Sequence, residues 1–84
     1  MQTSVDISKL WRDVHPMPED VRSALSMRGV LDAYIARPAY QQNDYVGWIT
    51  RAKRPETRQK RLDQMLDELE KGGVYMRMQW NGGA

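Results

Sequence analysis

Apolar residues recur every three or four positions through most of the chain, which is the spacing of a helix that buries one face. The first such stripe is Val21, Ala24 and Leu25, and a proline and two acids precede it, as at the start of many helices. Because Gly29 interrupts the pattern, we predict a first helix at residues 18–28.

Three more helices follow from the same reasoning. A short helix at 30–36, with Ile35 on its buried side, must end before Pro38, because the residue before a proline disfavours helical geometry. A third helix at 39–53 contains Gly47, which we expect to permit a close helix crossing. A fourth at 55–71 begins at a second proline. The predicted core consists of Leu25, Leu31, Tyr34, Tyr45, Trp48, Ile49, Leu62, Met65, Leu66 and Leu69.

The period of the pattern changes after Gly72 and Gly73. In the segment VYMRMQW at 74–80, apolar residues occupy the even positions, which is typical of an extended strand. Such a segment must lie across the helices, pair with the N-terminal TSVDI, or pair with a second chain. We therefore predict an N-terminal extension at 1–16 with a short helical turn around Trp11, a helical domain at 17–73 and an extended tail at 74–84.

Composition supports one small folded domain. The chain has 84 residues, of which 40% are hydrophobic and 29% charged, so it is unlike a disordered sequence. It has no cysteine, which excludes disulfides, thiolate zinc sites and a cysteine nucleophile and suits a reducing compartment. The start lacks the pattern of a signal peptide, and no apolar run is long enough to span a bilayer. We predict a cytoplasmic, all-α protein.

The sequence contains no pattern that indicates catalysis. His15 is the only histidine, and without cysteine it cannot assemble the usual zinc site. No glycine-rich phosphate loop and no nucleophile elbow is present. We predict that the protein is not an enzyme and binds no metal or cofactor.

Basic residues cluster around the predicted joint between the third and fourth helices. The net charge of +2 is too balanced to require a polyanionic partner, but this basic cluster could contact phosphates. Solvated surface charge is the alternative explanation. Acids dominate the second half of the fourth helix, an order that opposes the helix dipole and suggests tertiary or partner contacts. The basic cluster consists of Arg51, Lys53, Arg54, Arg58, Lys60 and Arg61.

Arg58 differs from the rest of the basic cluster. At 100° per residue it lies within about 40° of the apolar stripe of the fourth helix, whereas Lys60 points nearly the opposite way. A guanidinium on that side needs a carboxylate or several carbonyl groups. We predict that Arg58 clamps the Arg54–Pro55 turn or another helix end. Among the aromatic residues of the third helix, Tyr40 is the best candidate for an exposed one.

The central residues of the chain also resemble a known family. The run YVGWITRAKRPETR at 45–58, with Arg61 after it, is similar to the Y-V-x-W-I-x-x-A-K-x-x-x-T-R-x-x-R core of the YdeI/OmpD-associated family, which is linked by name to bacteriocin protection. Upstream, Pro18-x-Asp20-Val21-x-x-Ala24-Leu25 resembles the family's opening helix. The resemblance covers residues 18–71. It implies an all-helical bacterial domain and no particular reaction.

Two hypotheses for function follow. The first is a small module that binds a protein partner or itself through an exposed apolar patch near the tail. The second is nucleic-acid binding through the basic cluster. The residues predicted for the partner contact are Tyr75, Met76, Met78 and Trp80.

Overall fold

The computed structural model of the protein describes residues 15–80. This part of the chain forms four helices followed by a small antiparallel hairpin, as the sequence predicted for the fold class. The predicted helical turn around Trp11 lies outside the described residues. The elements are α1 (Glu19–Arg28), α2 (Leu31–Ala36), α3 (Ala39–Thr50), α4 (Pro55–Lys71), β1 (Val74–Tyr75) and β2 (Met78–Gln79).

Prolines and glycines set the helix boundaries. Pro18 has an extended backbone and occupies the N-cap position of α1, so the helix begins at Glu19, one residue later than predicted. Gly29 and Gly72 have φ values of 78° and 82°, the left-handed conformation that ends a helix at low cost in glycine. Arg54 is extended before Pro55. Helix α3 ends at Thr50, three residues earlier than predicted, and residues 51–54 form the turn that leads to α4.

The core lies among all four helices, and its residues come mainly from the predicted stripes. Two predicted core residues, Leu31 and Trp48, are only partly buried and pack at the edge. The prediction for Ile35 is wrong, because its side chain is 61% exposed while its neighbour Tyr34 occupies the core. The buried apolar residues are Val21, Leu25, Val30, Tyr34, Tyr45, Val46, Ile49, Leu62, Met65, Leu66 and Leu69.

The tail folds back on itself in a hairpin. Val74 pairs with Gln79 and Tyr75 with Met78, so only two residues form the turn. These residues, Met76 and Arg77, have φ values of 52° and 66°. The extended conformation was predicted, but the pairing within the segment was not. A turn of this kind normally contains Asn or Gly, and the sequence shows neither at these positions.

None of the helices within residues 15–80 is long and apolar enough to cross a membrane.

Candidate functional site

The hairpin is fixed to α4 by one buried carboxylate. Glu68 is 4% exposed, and its two oxygens accept hydrogen bonds from the backbone N–H groups of Met76 and Arg77, both at 2.8 Å. The phenol of Tyr45 donates to the same carboxylate, as does the side-chain amide of Gln64 at 2.9 Å. Four donors therefore satisfy this charge, and two of them belong to the strained turn. Glu68 holds the turn in its left-handed conformation.

Burial and the neighbouring carboxylate also affect Tyr45. The side chain is completely buried, and this burial, together with the hydrogen bond to Glu68, raises the pKa of its phenol. Tyr45 therefore remains a neutral donor well above ordinary pH. The aromatic ring meets Tyr75 edge-to-face at a centroid distance of 5.4 Å, which connects the core to the hairpin.

A second buried charge, Arg37, joins α2 to the hairpin. Arg37 is 5% exposed and donates to the side-chain oxygen of Gln41 at 3.0 Å. It also donates to the backbone carbonyl oxygens of Glu68 at 3.3 Å and Val74 at 2.8 Å. Its guanidinium carbon lies 4.4 Å from the ring centroid of Trp80, a cation–π contact. Arg37 thus holds both ends of the hairpin against the bundle.

The register of the hairpin places three large side chains on one side. Directly opposed residues share a face, so Tyr75 and Met78 are neighbours. The N–H of Trp80 donates to the carbonyl of Gly73 at 2.9 Å, which continues the register and puts Trp80 on the same side. Tyr40 meets Tyr75 edge-to-face at 6.1 Å. We call Tyr40, Tyr75, Met78 and Trp80 the hairpin face.

This arrangement corrects the predicted alternation along the tail. A continuous strand would place Met76, Met78 and Trp80 together and Tyr75 on the opposite side. The two-residue turn reverses the chain, so Tyr75 joins Met78 and Trp80, while Met76 lies in the turn. Met76 instead lines an open groove along α4, together with Trp48 and Arg61. Three of the four predicted contact residues are therefore brought together, and Met76 is not one of them.

Exposure varies across the hairpin face. Met78 is 60% and Tyr40 47% exposed, in agreement with the prediction for Tyr40. Tyr75 and Trp80 are half-buried. The phenol of Tyr75 also donates to Asp44 at 2.7 Å. The two inner rings are thus held by the bundle, and the two outer side chains face solvent.

The basic cluster divides into two parts. Arg58 forms an ion pair with Asp20 in the first turn of α1, with an Nη1–Oδ2 distance of 2.6 Å, as expected for a residue that clamps a helix end. This pairing lowers the pKa of Asp20. Arg61 donates to the carbonyl oxygen of Trp48 at 2.6 Å and lies 5.4 Å from its ring centroid. Both arginines therefore join α4 to other helices.

The other four residues of the basic cluster are exposed. Within residues 15–80 they form no ion pair. They surround the turn between α3 and α4, where the predicted phosphate contact was placed. These residues are Arg51, Lys53, Arg54 and Lys60.

The order of charges along α4 has a tertiary explanation. In its first half, Arg58 and Arg61 contact α1 and α3. In its second half, Glu68 binds the hairpin, while Arg28 of α1 makes ion pairs with Asp67 at 2.5 Å and Glu70 at 2.8 Å. These contacts with the rest of the protein offset the unfavourable dipole terms, each of which is worth about 0.3–1 kcal/mol.

His15 has a packing role beside Gly47. A Cβ at Gly47 would lie 2.7 Å from ring atoms of His15, so the glycine admits the histidine ring and not, as predicted, a crossing helix. The backbone N–H of His15 donates to the side-chain oxygen of Asn43 at 2.8 Å. No group of three or more His, Asp or Glu side chains in the described part of the chain is arranged to hold a metal ion.

Sequence reasoning missed the two residues that build the site. Glu68 lies about 60° from Met65, at the edge of the apolar stripe of α4, and that position was the one available sign of its burial. Arg37 was recognised only as the end of a helix. Nothing in the sequence marked the contact between Arg37 and Trp80, because the two residues are far apart in the chain.

The fold and its contacts define a small all-helical domain with a C-terminal hairpin. Comparison with known families supplies the classification. The pattern of the family described as "Bacteriocin-protection, YdeI or OmpD-Associated" matches residues 15–72, more than half of the chain, and the protein belongs to that family. Comparisons with curated proteins and with solved structures gave no significant match.

Proposed function

We propose that the protein is a cytoplasmic, non-enzymatic module that recognises a protein partner through the hairpin face, in the bacteriocin-protection role that the family's name describes. The observation that carries this proposal is the exposure of Met78 and Tyr40 beside the half-buried rings of Tyr75 and Trp80. Methionine and aromatic side chains are enriched at the centres of protein interfaces.

The rigidity of the hairpin supports this function. Glu68 fixes the turn, and Arg37 holds both strands, so the hairpin face is ordered before a partner arrives. An ordered surface loses less conformational entropy on binding, at about 0.5–1.5 kcal/mol for each side chain that would otherwise become immobilised. The hairpin face therefore favours recognition of a preformed shape.

The small size of the hairpin face favours a transient contact over a stable dimer. A standard interface buries about 800 Å² on each partner. A large aromatic side chain buries about 150–250 Å² in total, and two of these four residues are already half-buried. A few hundred Å² is therefore available, and we expect self-association through this face to be weak.

Site-specific photo-crosslinking tests the proposal. A benzoylphenylalanine at position 78 should give a discrete adduct in cells of the source organism, which mass spectrometry can identify. The matched control is the same group at Gln59, an exposed position on α4 far along the chain from the hairpin. Purified adduct partner should then bind the wild-type domain, and Y40D/M78D should weaken that binding at least tenfold. Equal adducts from positions 78 and 59 would contradict the proposal.

A second candidate function is nucleic-acid binding by the exposed part of the basic cluster. Arg51, Lys53, Arg54 and Lys60 are exposed and form no ion pair with residues 15–80. Four phosphate contacts would give a plot of log affinity against log salt with a slope of about −3.6 on duplex DNA. Binding of that strength is weak at physiological salt, so we place this function second.

Fluorescence anisotropy with labelled single- and double-stranded oligonucleotides separates the two functions. The test variant is R54E/K60E, and the matched control is R22E/K71E, which changes the net charge equally at exposed positions outside the basic cluster. Nucleic-acid binding requires salt-sensitive affinity that the test variant loses and the control retains. Equal losses would indicate only a general effect of net charge.

A further inference from the structure

A small pocket lies between α2 and the hairpin, beside the hairpin face. It has a volume of about 180 Å³, several times the space that one water molecule needs. Most of its wall is apolar, with Arg37 as its one charged residue. The pocket is lined by Ala33, Ala36, Arg37, Leu69, Gly72 and Trp80.

The charge of Arg37 is unusual for so deeply buried a group. Its side chain forms no ion pair within residues 15–80. The buried carboxylate of Glu68 binds four other donors instead. Its hydrogen-bond partners are two carbonyl oxygens and one amide oxygen. Buried guanidinium groups normally pair with a carboxylate, because an unpaired buried charge is costly.

Arg37 also has hydrogen-bonding capacity to spare. A guanidinium has five N–H groups. Three hydrogen bonds to the described residues use one N–H on Nη1 and both on Nη2. The Nε–H and the second N–H of Nη1 make no hydrogen bond within residues 15–80. These two donors lie on different edges of the guanidinium plane, so a carboxylate in the pocket would accept a hydrogen bond from one of them and be attracted by the positive charge of the whole group.

We propose that this pocket binds a carboxylate group presented by the protein partner. The guanidinium of Arg37 is the anion-binding group, and Trp80 and the two alanines surround the methylene carbons that carry the partner's carboxylate. The inference rests on the proposed function and names the chemistry of the partner: an acidic side chain or a chain-terminal carboxylate that enters beside the hairpin face. A Glu side chain fits this description, because it combines a carboxylate with a short apolar stem.

The first test uses small probes on the wild-type domain. Propionate should shift the Trp80 indole and Arg37 Nε–H signals in ¹H–¹⁵N spectra, with a Kd on the order of 1–10 mM, as expected for a ligand of so few atoms. Propionamide has nearly the same shape without the charge and should bind at least tenfold more weakly. Equal shifts from the two compounds, or none from either, would overturn the proposal and leave a pocket that holds water.

Two variants locate the binding. In R37Q the Trp80 response to propionate should disappear, whereas R61Q, which alters the other arginine–tryptophan contact, should leave it unchanged.

Because R37Q removes buried hydrogen bonds and could unfold the domain, A36L provides an independent check. Ala36 is exposed at the end of α2, so a larger side chain there fills the pocket without altering the core. Retention of propionate binding by A36L would contradict the proposed site.

Capped peptides determine the source of the carboxylate. Acetyl-Gly-Glu-Gly-amide presents an acidic side chain, and acetyl-Gly-Gly-Gly presents a chain-terminal carboxylate. Binding of either peptide at least as tight as that of propionate supports a protein partner. Tighter binding of propionate than of both peptides would overturn that part of the proposal. Failure of all these probes, with the position-78 adduct still formed, would reject the pocket and leave the proposed function intact.

Discussion

The two halves of α4 use their charged residues in different ways. In the C-terminal half, the carboxylate of Glu68 is buried and satisfied by four donors from α3, α4 and the hairpin turn. In the N-terminal half, Arg58 and Arg61 each bind one residue of another helix near the surface, and Lys60 is exposed. The charge of Glu68 is part of the folded interior, whereas the charges of the N-terminal half lie at the surface, where Lys60 remains available to a ligand.

The difference follows from the free energy that is needed to bury a charged group. A buried carboxylate that loses its donors costs several kcal/mol, so its position cannot drift. An exposed ion pair contributes about 0.2–1 kcal/mol and can exchange its partner for water. The hairpin end is therefore suited to a rigid recognition surface, and the basic cluster to weak, salt-dependent contact.

Removal of Glu68 should produce the largest effect. E68A leaves the Tyr45 phenol and two turn amides without their acceptor, and we expect it to lower the free energy of unfolding by about 2–4 kcal/mol. The matched control is E70A, which loses only an exposed ion pair and should cost at most about 1 kcal/mol. Urea denaturation followed by circular dichroism measures both. Equal losses would remove the distinction between the buried and exposed acids of α4.

Loss of the Tyr45 hydroxyl should have the next largest effect, with a dependence on pH. Y45F removes one donor from Glu68 and should cost about 1–2 kcal/mol near neutral pH. The pKa of Tyr45 is raised in the folded state, so above pH 10 the unfolded chain loses this proton first. The stability of the wild type should then fall with pH by up to about 1.4 kcal/mol per unit.

In Y45F this alkaline decline should be less steep. A smaller decline should remain, because burial also raises the pKa of Tyr34. Urea unfolding at intervals from pH 8 to 11 provides the comparison, with Y34F as the matched variant. An identical slope in the wild type and Y45F would show that Tyr45 does not contribute to the alkaline loss.

A glycine in the turn of the hairpin should have a smaller effect, and it should stabilise the fold relative to alanine at the same position. Arg77 has a φ of 66°, which costs a residue with a Cβ about 1 kcal/mol relative to glycine. We expect R77G to be about 1 kcal/mol more stable than R77A, because both variants lose the same side-chain contact with Gln64. Thermal melts of the two variants measure the difference. Equal stability would mean that Glu68 does not hold this turn against its local preference.

These effects also show where sequence reasoning succeeds. Helical periodicity identified the stripe of Leu62, Met65, Leu66 and Leu69, because all four bury the same kind of surface against one core. Arg58 was placed on the inner side of α4 by the same angular argument, and its contact is a helix end. In both cases the prediction depends on one helix alone, where the spacing of residues along the chain determines the side of the helix on which each side chain lies.

The parts that the sequence did not predict depend on two distant segments at once. Glu68 is buried because the turn of Met76 and Arg77 supplies two amides, and that turn forms because Glu68 accepts them. The sequence around Glu68 does not indicate the turn, and the sequence of the turn does not indicate the burial of Glu68, since Met and Arg have no preference for positive φ. Arg37 and Trp80 depend on each other in the same way. Such reciprocal contacts become visible only in three dimensions.

The ion pair of Arg58 and Asp20 should give the smallest effect, and it tests the other side of the comparison. A double-mutant cycle with R58Q and D20N should give a coupling of about 0.2–1 kcal/mol, because both side chains are substantially exposed. In 1 M salt, where the screening length is about 3 Å, the coupling should shrink further. Since the pKa of Asp20 is lowered in the folded state, the contribution is fully present above 3.8, the ordinary pKa of an aspartate, and is lost as the pH falls through the lower pKa of the folded state. A coupling above about 2 kcal/mol that resists salt would make Arg58 as structural as Glu68. The N-terminal half of α4 would then be held as firmly as the C-terminal half, and the contrast between the two halves would be wrong.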